Sequence, residues 1–422
     1  MKGQRFFTVL ALLFLLLLTT TNQPISSSPD SFIELENLRP SQSELELAEM
    51  QDIFREYEQW LTGEVTSSGT VGAAVAILYK DQVAFMKCFG TQKIGSSDSI
   101  DEHTIFRLAS VSKPVTGVLA GLLAQEEIID FDEKVAASIP GFCLSLPAST
   151  RQLSIRHLLS HTTGLVPHAY DDLVEGYVPL SNIVERLKYV DISAPPGELY
   201  GYQNVMFSLL DTILSVKTSK SYSELIKEKL FGPLGMNDAS ADFESFRDNP
   251  NKAFPHSGGN GRYRALPLND RYYSTAPAAG VNASISDLSQ FLLALLDEEN
   301  PLLQSHIMET VFTPQVNSHL HRGYFRYWNK AKSKRYAIGW RTVDYKGRHV
   351  AYHGGYVNGY KAEIALCSQE HIGIVYLSNS PNSVASQSIP VFLDAYFHFK
   401  DNEPVLAQSE NVKEDDLKSQ GS

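Results

Sequence analysis

Cysteine is scarce: three of 422 residues, Cys88, Cys143 and Cys367, with no Cys-x-x-Cys pair. That excludes a cysteine zinc module and a disulfide-stapled mini-fold, and an odd count leaves room for at most one bridge. A basic run is also missing. The 36 Lys and Arg residues are outnumbered by 48 Asp and Glu, giving a net charge of -12. A surface that must displace counterions from nucleic acid needs the opposite balance, so a nucleic-acid partner is excluded. The chain has no Gly-x-Ser-x-Gly, the usual α/β-hydrolase signal, and no His-Glu-x-x-His. His157 and His161 stand four apart, but without the intervening glutamate and without a third ligand they define no metal site, and no cofactor motif is present.

What is present bounds the organisation. At 422 residues the chain can bury a large core in one interrupted domain. Residues 1–28 combine Lys2 and Arg5, an apolar run over 6–18 and small polar residues, the pattern of a secretory signal. The run is short for a bilayer span, yet no clean Ala-x-Ala site follows it, so an uncleaved membrane anchor is the second reading. The chain is therefore expected to be exported, periplasmic or secreted, or anchored through that segment. Residues 29–44 read as a Pro/Ser-rich linker, and LELAEMQDIFREYEQWL has the spacing of an amphipathic helix. GAAVAILYK and VAFMKCFG predict a β-hairpin. Short helices broken by Pro/Gly turns predict a mainly helical insert over about 150–290, and AIGWRTVDYKG, RHVAYHGG, GYKAEIALCSQE and HIGIVYLSNS predict returning strands. Strands at both ends with helices between them predict an α+β domain over 45–400, with one antiparallel sheet flanked by helices. The acidic tail, 401–422, reads as disordered.

The chemistry starts at FRLASVSKPVTG, residues 106–117. Val115, Val118, Leu119 and Leu122 give a helical stripe, which puts Ser110 at the helix start with Lys113 one turn on and on the same face. Taken alone, the pair also reads as a capping serine and a solvent-reaching lysine. It is the only Ser-x-x-Lys in the chain. A nucleophilic serine needs a proton acceptor, and a lysine serves only when neutral or networked with another base such as a tyrosine. Tyr-x-Asn occurs at Tyr202/Asn204, Tyr327/Asn329 and Tyr356/Asn358. The first is preferred because it follows the turn SAPPGELYG and opens an apolar helix, so both side chains sit at a helix start. In YHGGYVNGY, residues 352–360, Gly354 and Gly355 would leave an edge strand bare for a substrate backbone, with His353 projecting beside it. The N–H groups of Ser110 and Tyr356 would then share a developing oxyanion.

Ser-x-x-Lys, Tyr-x-Asn and His-x-Gly in this order resemble the serine β-lactamase and penicillin-binding-protein superfamily, class C branch. SIRHLLSHTTGL, PPGELYGYQN, KLFGPLGMND and PAAGVNASISDLSQF are similar to that branch's connecting segments, so the resemblance covers about residues 50–400. It implies the β-lactamase/transpeptidase fold, with Ser110 as acyl-accepting nucleophile and Lys113 and Tyr202 as the proton-transfer pair. It also implies Asn204 as a substrate amide contact, and His353, Gly354 and Gly355 as the third motif. Class C β-lactamases carry Lys-Thr-Gly there, whereas His-x-Gly is similar to D-alanyl-D-alanine peptidases, D-aminopeptidases and related esterases. The expected substrate is a small amide or ester, a β-lactam or D-amino-acid peptide among them. The competing reading is a wall-peptide sensor that binds without turnover.

Overall fold

The computed structural model describes residues 42–318 and 325–402. The signal or anchor, nearly all of the linker and residues 403–422 of the tail lie outside them. Helix α1, Gln42–Glu49, belongs to an N-terminal unit, so the last three linker residues are helical. Everything from Met50 onward falls in a second compact unit.

In that unit α2, Gln51–Ser68, buries Ile53, Phe54, Tyr57, Leu61 and Val65, one stripe at helical spacing. It stops where Gly69 turns left-handed at φ 61°. Among the described residues the strands are β1 (Gly72–Tyr79), β2 (Gln82–Gly90), β3 (Phe106–Arg107), β4 (His256–Gly259), β5 (Arg262–Ala265), β6 (Asn282–Ala283), β7 (Val316–Asn317), β8 (Ala331–Tyr336), β9 (Arg341–Tyr345), β10 (Arg348–Val357), β11 (Tyr360–Cys367) and β12 (Ile372–Ser378). Eight of them form one antiparallel sheet in the order β2-β1-β12-β11-β10-β9-β8-β7, so the expected hairpin and the C-terminal strands join as predicted. Strands β7 and β8 carried no clear alternation, and the hairpin β4-β5 interrupts a stretch read as helical.

Side chains alternate across the sheet, and its two faces are covered differently. Ala74, Ala76 and Leu78 of β1 join the main core with α3 (Ser112–Gln125) and α5 (Ile285–Leu296). On the other face Phe54 of α2 stacks on Phe85 of β2 and on Phe392 of α6 (Val384–Asn402), both at 6.5 Å between centroids. Helix α6 runs through Asn402, so order persists past the point where the acidic tail was expected to begin. Helix α4, Asn204–Thr218, sits in the helical region and buries Val205 to Leu210 continuously. Among the described residues no helix is long and apolar enough to cross a membrane, and all three cysteines are free.

Close backbone approach fixes the depth of α3. A Cβ on Gly117 would meet Ile338 O at 2.3 Å, and one on Gly339, at φ 76°, would meet Lys113 O at 2.2 Å. Only glycine fits at either position, and the helix carrying Lys113 is thereby pressed against the chain entering β9.

Candidate active site

Ser110 lies in a single 3-10 turn, Ala109–Val111, and α3 begins two residues later. The sequence placed Ser110 at the helix start. The tighter turn arises because Ala109 is held at φ 50°, a left-handed conformation that costs a non-glycine residue about 1–2 kcal/mol. That turn packs on β10: a Cβ on Gly355 would stand 2.4 Å from Leu108 O and 2.9 Å from Ser110 N.

Lys113 is completely buried. Its Nζ lies 2.8 Å from Asn204 Oδ1, 2.9 Å from Ala278 O and 3.4 Å from Ser110 Oγ. Burial is the largest influence on the amine and drives its pKa well below the lysine range; the Asp171 carboxylate opposes the shift and the Arg341 guanidinium adds to it. A neutral amine has two N–H donors and one lone pair. In the neutral state the two carbonyl oxygens can take both donors, and the lone pair is then free to face Ser110 Oγ, 3.4 Å away.

Tyr202 supplies the second contact, with Oη donating to Ser110 Oγ at 2.8 Å. Its loop is pinned from both sides: His168 N–H donates to Tyr202 O at 2.8 Å, and the Tyr202 ring lies 4.4 Å from that of His161. Gln203 N–H donates to His161 Nδ1 at 3.2 Å, which starts α4 with Asn204 as its first residue. Asn204 accepts from Lys113 and donates through Nδ2 to Asp171 Oδ2 at 2.9 Å, so two of its four hydrogen-bonding positions remain, one N–H and one oxygen lone pair. The cleft, about 370 Å³, is lined among others by Ser110, Tyr202, Asn204, Asp171, Tyr272 and Tyr356.

The third motif departs from the sequence reading. His353 does not project beside the strand; it is fully buried and absent from the cleft lining. Its Nδ1 is 2.9 Å from Gly354 O, Arg341 Nη1 is 2.9 Å from Nε2, and Tyr336 Oη is 3.2 Å from Nε2. Arg341 Nη1 is also 2.9 Å from Nδ1, and because the guanidinium only donates, its place beside both ring nitrogens disfavours a protonated ring. Burial first, then Arg341 and Lys113, pushes its pKa well below the usual imidazole value. Nor is β10 an edge strand along its length. It pairs with β11 through Val357 but with β9 only through Tyr352, so one side is open from His353 onward. The space beside Gly355 is filled by the nucleophile turn, and that beside Gly354 by Glu363 Oε2 at 2.5 Å and Tyr352 Oη at 2.9 Å. The two glycines therefore seat protein against protein on the side their Cβ atoms would take, while the backbone edge from His353 onward stays open. Tyr356 reaches the cleft and is 61 % exposed.

Of the two histidines considered as a metal pair, His157 caps its own helix through Ser154, and His161 is the buried wall behind Tyr202. Sequence reasoning missed Asp171, His168 and Arg341. No spacing marks them, because each meets the site across a fold contact rather than along one element.

An antiparallel sheet covered by helices, with a serine, a buried lysine and a tyrosine gathered at the sheet margin, defines the penicillin-binding-protein and β-lactamase fold. Residues 51–392 match the Beta-lactamase family, and the chain belongs to it. The unguisins hydrolase of Aspergillus campestris is 24 % identical over 308 residues, covering 70 % of this chain and 56 % of its own length. Protein flp of Staphylococcus aureus is 25 % identical over 320 residues, covering 73 % and 59 %. The match to this chain thus spans less than two thirds of either relative. In fold the chain is similar to an octameric penicillin-binding protein homologue from Pyrococcus abyssi, with a TM-score of 0.68 and 20 % identity over 81 % of this chain and 77 % of that one.

Proposed function

We propose that the protein is a serine hydrolase that forms an acyl-enzyme at Ser110 and acts on a small amide or ester. The observation that carries this reading is the fully buried Lys113 Nζ, 3.4 Å from Ser110 Oγ and held by two carbonyl oxygens at 2.8 and 2.9 Å. In acylation the Ser110 proton passes to Lys113 as Oγ attacks the substrate carbonyl, and Tyr202 gives its phenolic proton to the leaving group. The products are the Ser110 ester, a lysine ammonium and a tyrosinate. In deacylation the tyrosinate takes a proton from water, the hydroxide attacks the ester, and Ser110 leaves with the proton held by Lys113. All three groups return to their starting states. The N–H groups of Ser110 and Tyr356 are assigned to the oxyanion, and the remaining Asn204 N–H to the substrate.

The buried, neutral His353 bears on substrate class. A carboxylate-binding third motif needs a fixed cation, and here the imidazole is buried outside the cleft lining, with burial and Arg341 pushing its pKa down. That favours esters and amides without an obligatory carboxylate over β-lactams and carboxypeptidase substrates. Export rests on the pattern of residues 1–28.

The test is covalent labelling with a fluorophosphonate or a fluorescent penicillin, with the adduct mapped by peptide mass spectrometry. An adduct on Ser110, with burst and turnover of a reporter ester, supports the reading. Turnover that survives in Ser110→Ala overturns it, and saturable binding without a burst returns the wall-peptide sensor.

A further inference from the structure

We propose that Asp171 is a positioning residue for this reaction: through Asn204 its carboxylate fixes which end of the amide faces Lys113 and sets a negative charge behind the general base. The inference rests on the proposed acyl-enzyme reading.

Asp171 opens the short helix Asp171–Glu175, on a different element from every motif residue. Its Oδ2 accepts from Asn204 Nδ2 at 2.9 Å and lies 2.8 Å from His168 Nδ1, while its Oδ1 is buried with no partner among the described residues. An ionised carboxylate only accepts hydrogen bonds, so it can face the NH2 end of Asn204 and not the carbonyl end. Asn204 Oδ1 is thereby turned to Lys113, 2.8 Å away. The opposite amide orientation would aim an N–H at the lysine lone pair and compete with Ser110 for it. One carboxylate thus keeps the lone pair aimed at the nucleophile.

Charge acts in the same place. The groups facing Lys113 are Arg341 on β9, the rings of His161 and His353, the Tyr202 and Ser110 hydroxyls, and Asp171. Arg341 and burial favour the neutral amine. Asp171 is the negative group among them, and it favours the ammonium that acylation creates. Without it Lys113 would hold its proton less firmly, and the transferred proton would be less well stabilised.

The experiment compares Asp171→Asn, Asp171→Ala and Asp171→Glu with the parent protein, using pH profiles of kcat and KM on a neutral p-nitrophenyl ester. The 15Nζ titration of Lys113, assigned with Lys113→Arg, is read in parallel and needs no substrate. Asp171→Ala should lose about 10- to 100-fold in kcat with KM changed much less, the cost of a misaimed catalytic group. In Asp171→Asn the acid limb of kcat and the Lys113 titration should both move to lower pH, by about half a unit or more. Asp171→Glu should bring the titration back toward the parent. Folded variants whose Lys113 titration and acid limb stay at the parent position overturn the proposal. A Lys113 titration that moves in a protein that turns over no ester would sink the hydrolase reading and leave the link from Asp171 to Lys113 standing.

Discussion

Tyr202 Oη stands 2.8 Å from Ser110 Oγ, although 92 residues separate the two. Lys113 reaches the same oxygen from the other side, with Nζ 4.6 Å from the Tyr202 ring centroid. Tyr202→Phe and Lys113→Ala should each lower kcat by about 10²-fold or more, the usual share of proton transfer. If the two act as one unit, the double variant loses little beyond the worse single. Tyr327→Phe and Tyr356→Phe remove only a hydroxyl outside this contact and should be mild. Steady-state kinetics on one ester decides it, and a severe loss at Tyr327 would contradict the assignment.

His353 gives a pH test whose sign follows from its burial. Because its pKa is pushed well below the ordinary imidazole value, it stays neutral where an exposed histidine would titrate. The ratio of kcat/KM for an anionic ester to that for a neutral ester should therefore be flat from about pH 5.5 to 8. A ratio that falls as pH rises across that range would show a protonated imidazole at work.

Charging that position should instead damage the fold. His353→Lys would place an ammonium beside the Arg341 guanidinium, whose Nη1 lies 2.9 Å from the present ring. An uncompensated buried charge costs about 3 kcal/mol or more, readable as a lower denaturant midpoint.

The two glycines of the third motif should separate in their effects. Gly355→Ala drives a methyl into Leu108 O and Ser110 N, both backbone, and must shift the nucleophile turn. A displacement near 1 Å costs roughly 10²-fold in kcat. Gly354→Ala meets the ends of two side chains, Glu363 and Tyr352, which can rotate. Its loss in kcat should be several times smaller.

Glu363, buried behind β10 and donated to by Tyr352 Oη at 2.6 Å, has its carboxyl pKa pushed up to about 7 by burial. The folded value lies above the unfolded one, so its contribution to stability is complete below the ordinary carboxyl range and is lost as pH rises to about 7. A gap of that size corresponds to about 3 kcal/mol. The Tm of Glu363→Gln relative to the parent should climb between about pH 4.5 and 7 and level off above. A constant difference would mean that Glu363 is ionised in the folded protein throughout.

The elements that the sequence set by itself are those whose signal is local. The short apolar runs of residues 72–79, 360–367 and 372–378, bounded by turn residues, read as strands, and the helical spacing after Ser110 read as α3. Ser-x-x-Lys was legible because its two side chains meet across one turn. Tyr202 could be chosen from three Tyr-x-Asn pairs because a turn and a helix start flank it. Tertiary structure alone decided the rest, since it depends on contacts between residues far apart in the chain. Arg341 and Tyr336 close over His353 only after β9 pairs with β10, and that burial turns a side chain expected to project beside the strand into a wall behind the site. Asp171 joins the site only when its short helix meets the start of α4. Gly355 proved to be a seat for the nucleophile turn because the backbone of residues 108–110 arrives against it. Periodicity reports which face of an element is apolar. The ionisation of a side chain is set by what surrounds it in space, and in this site those neighbours come from segments far apart in the chain.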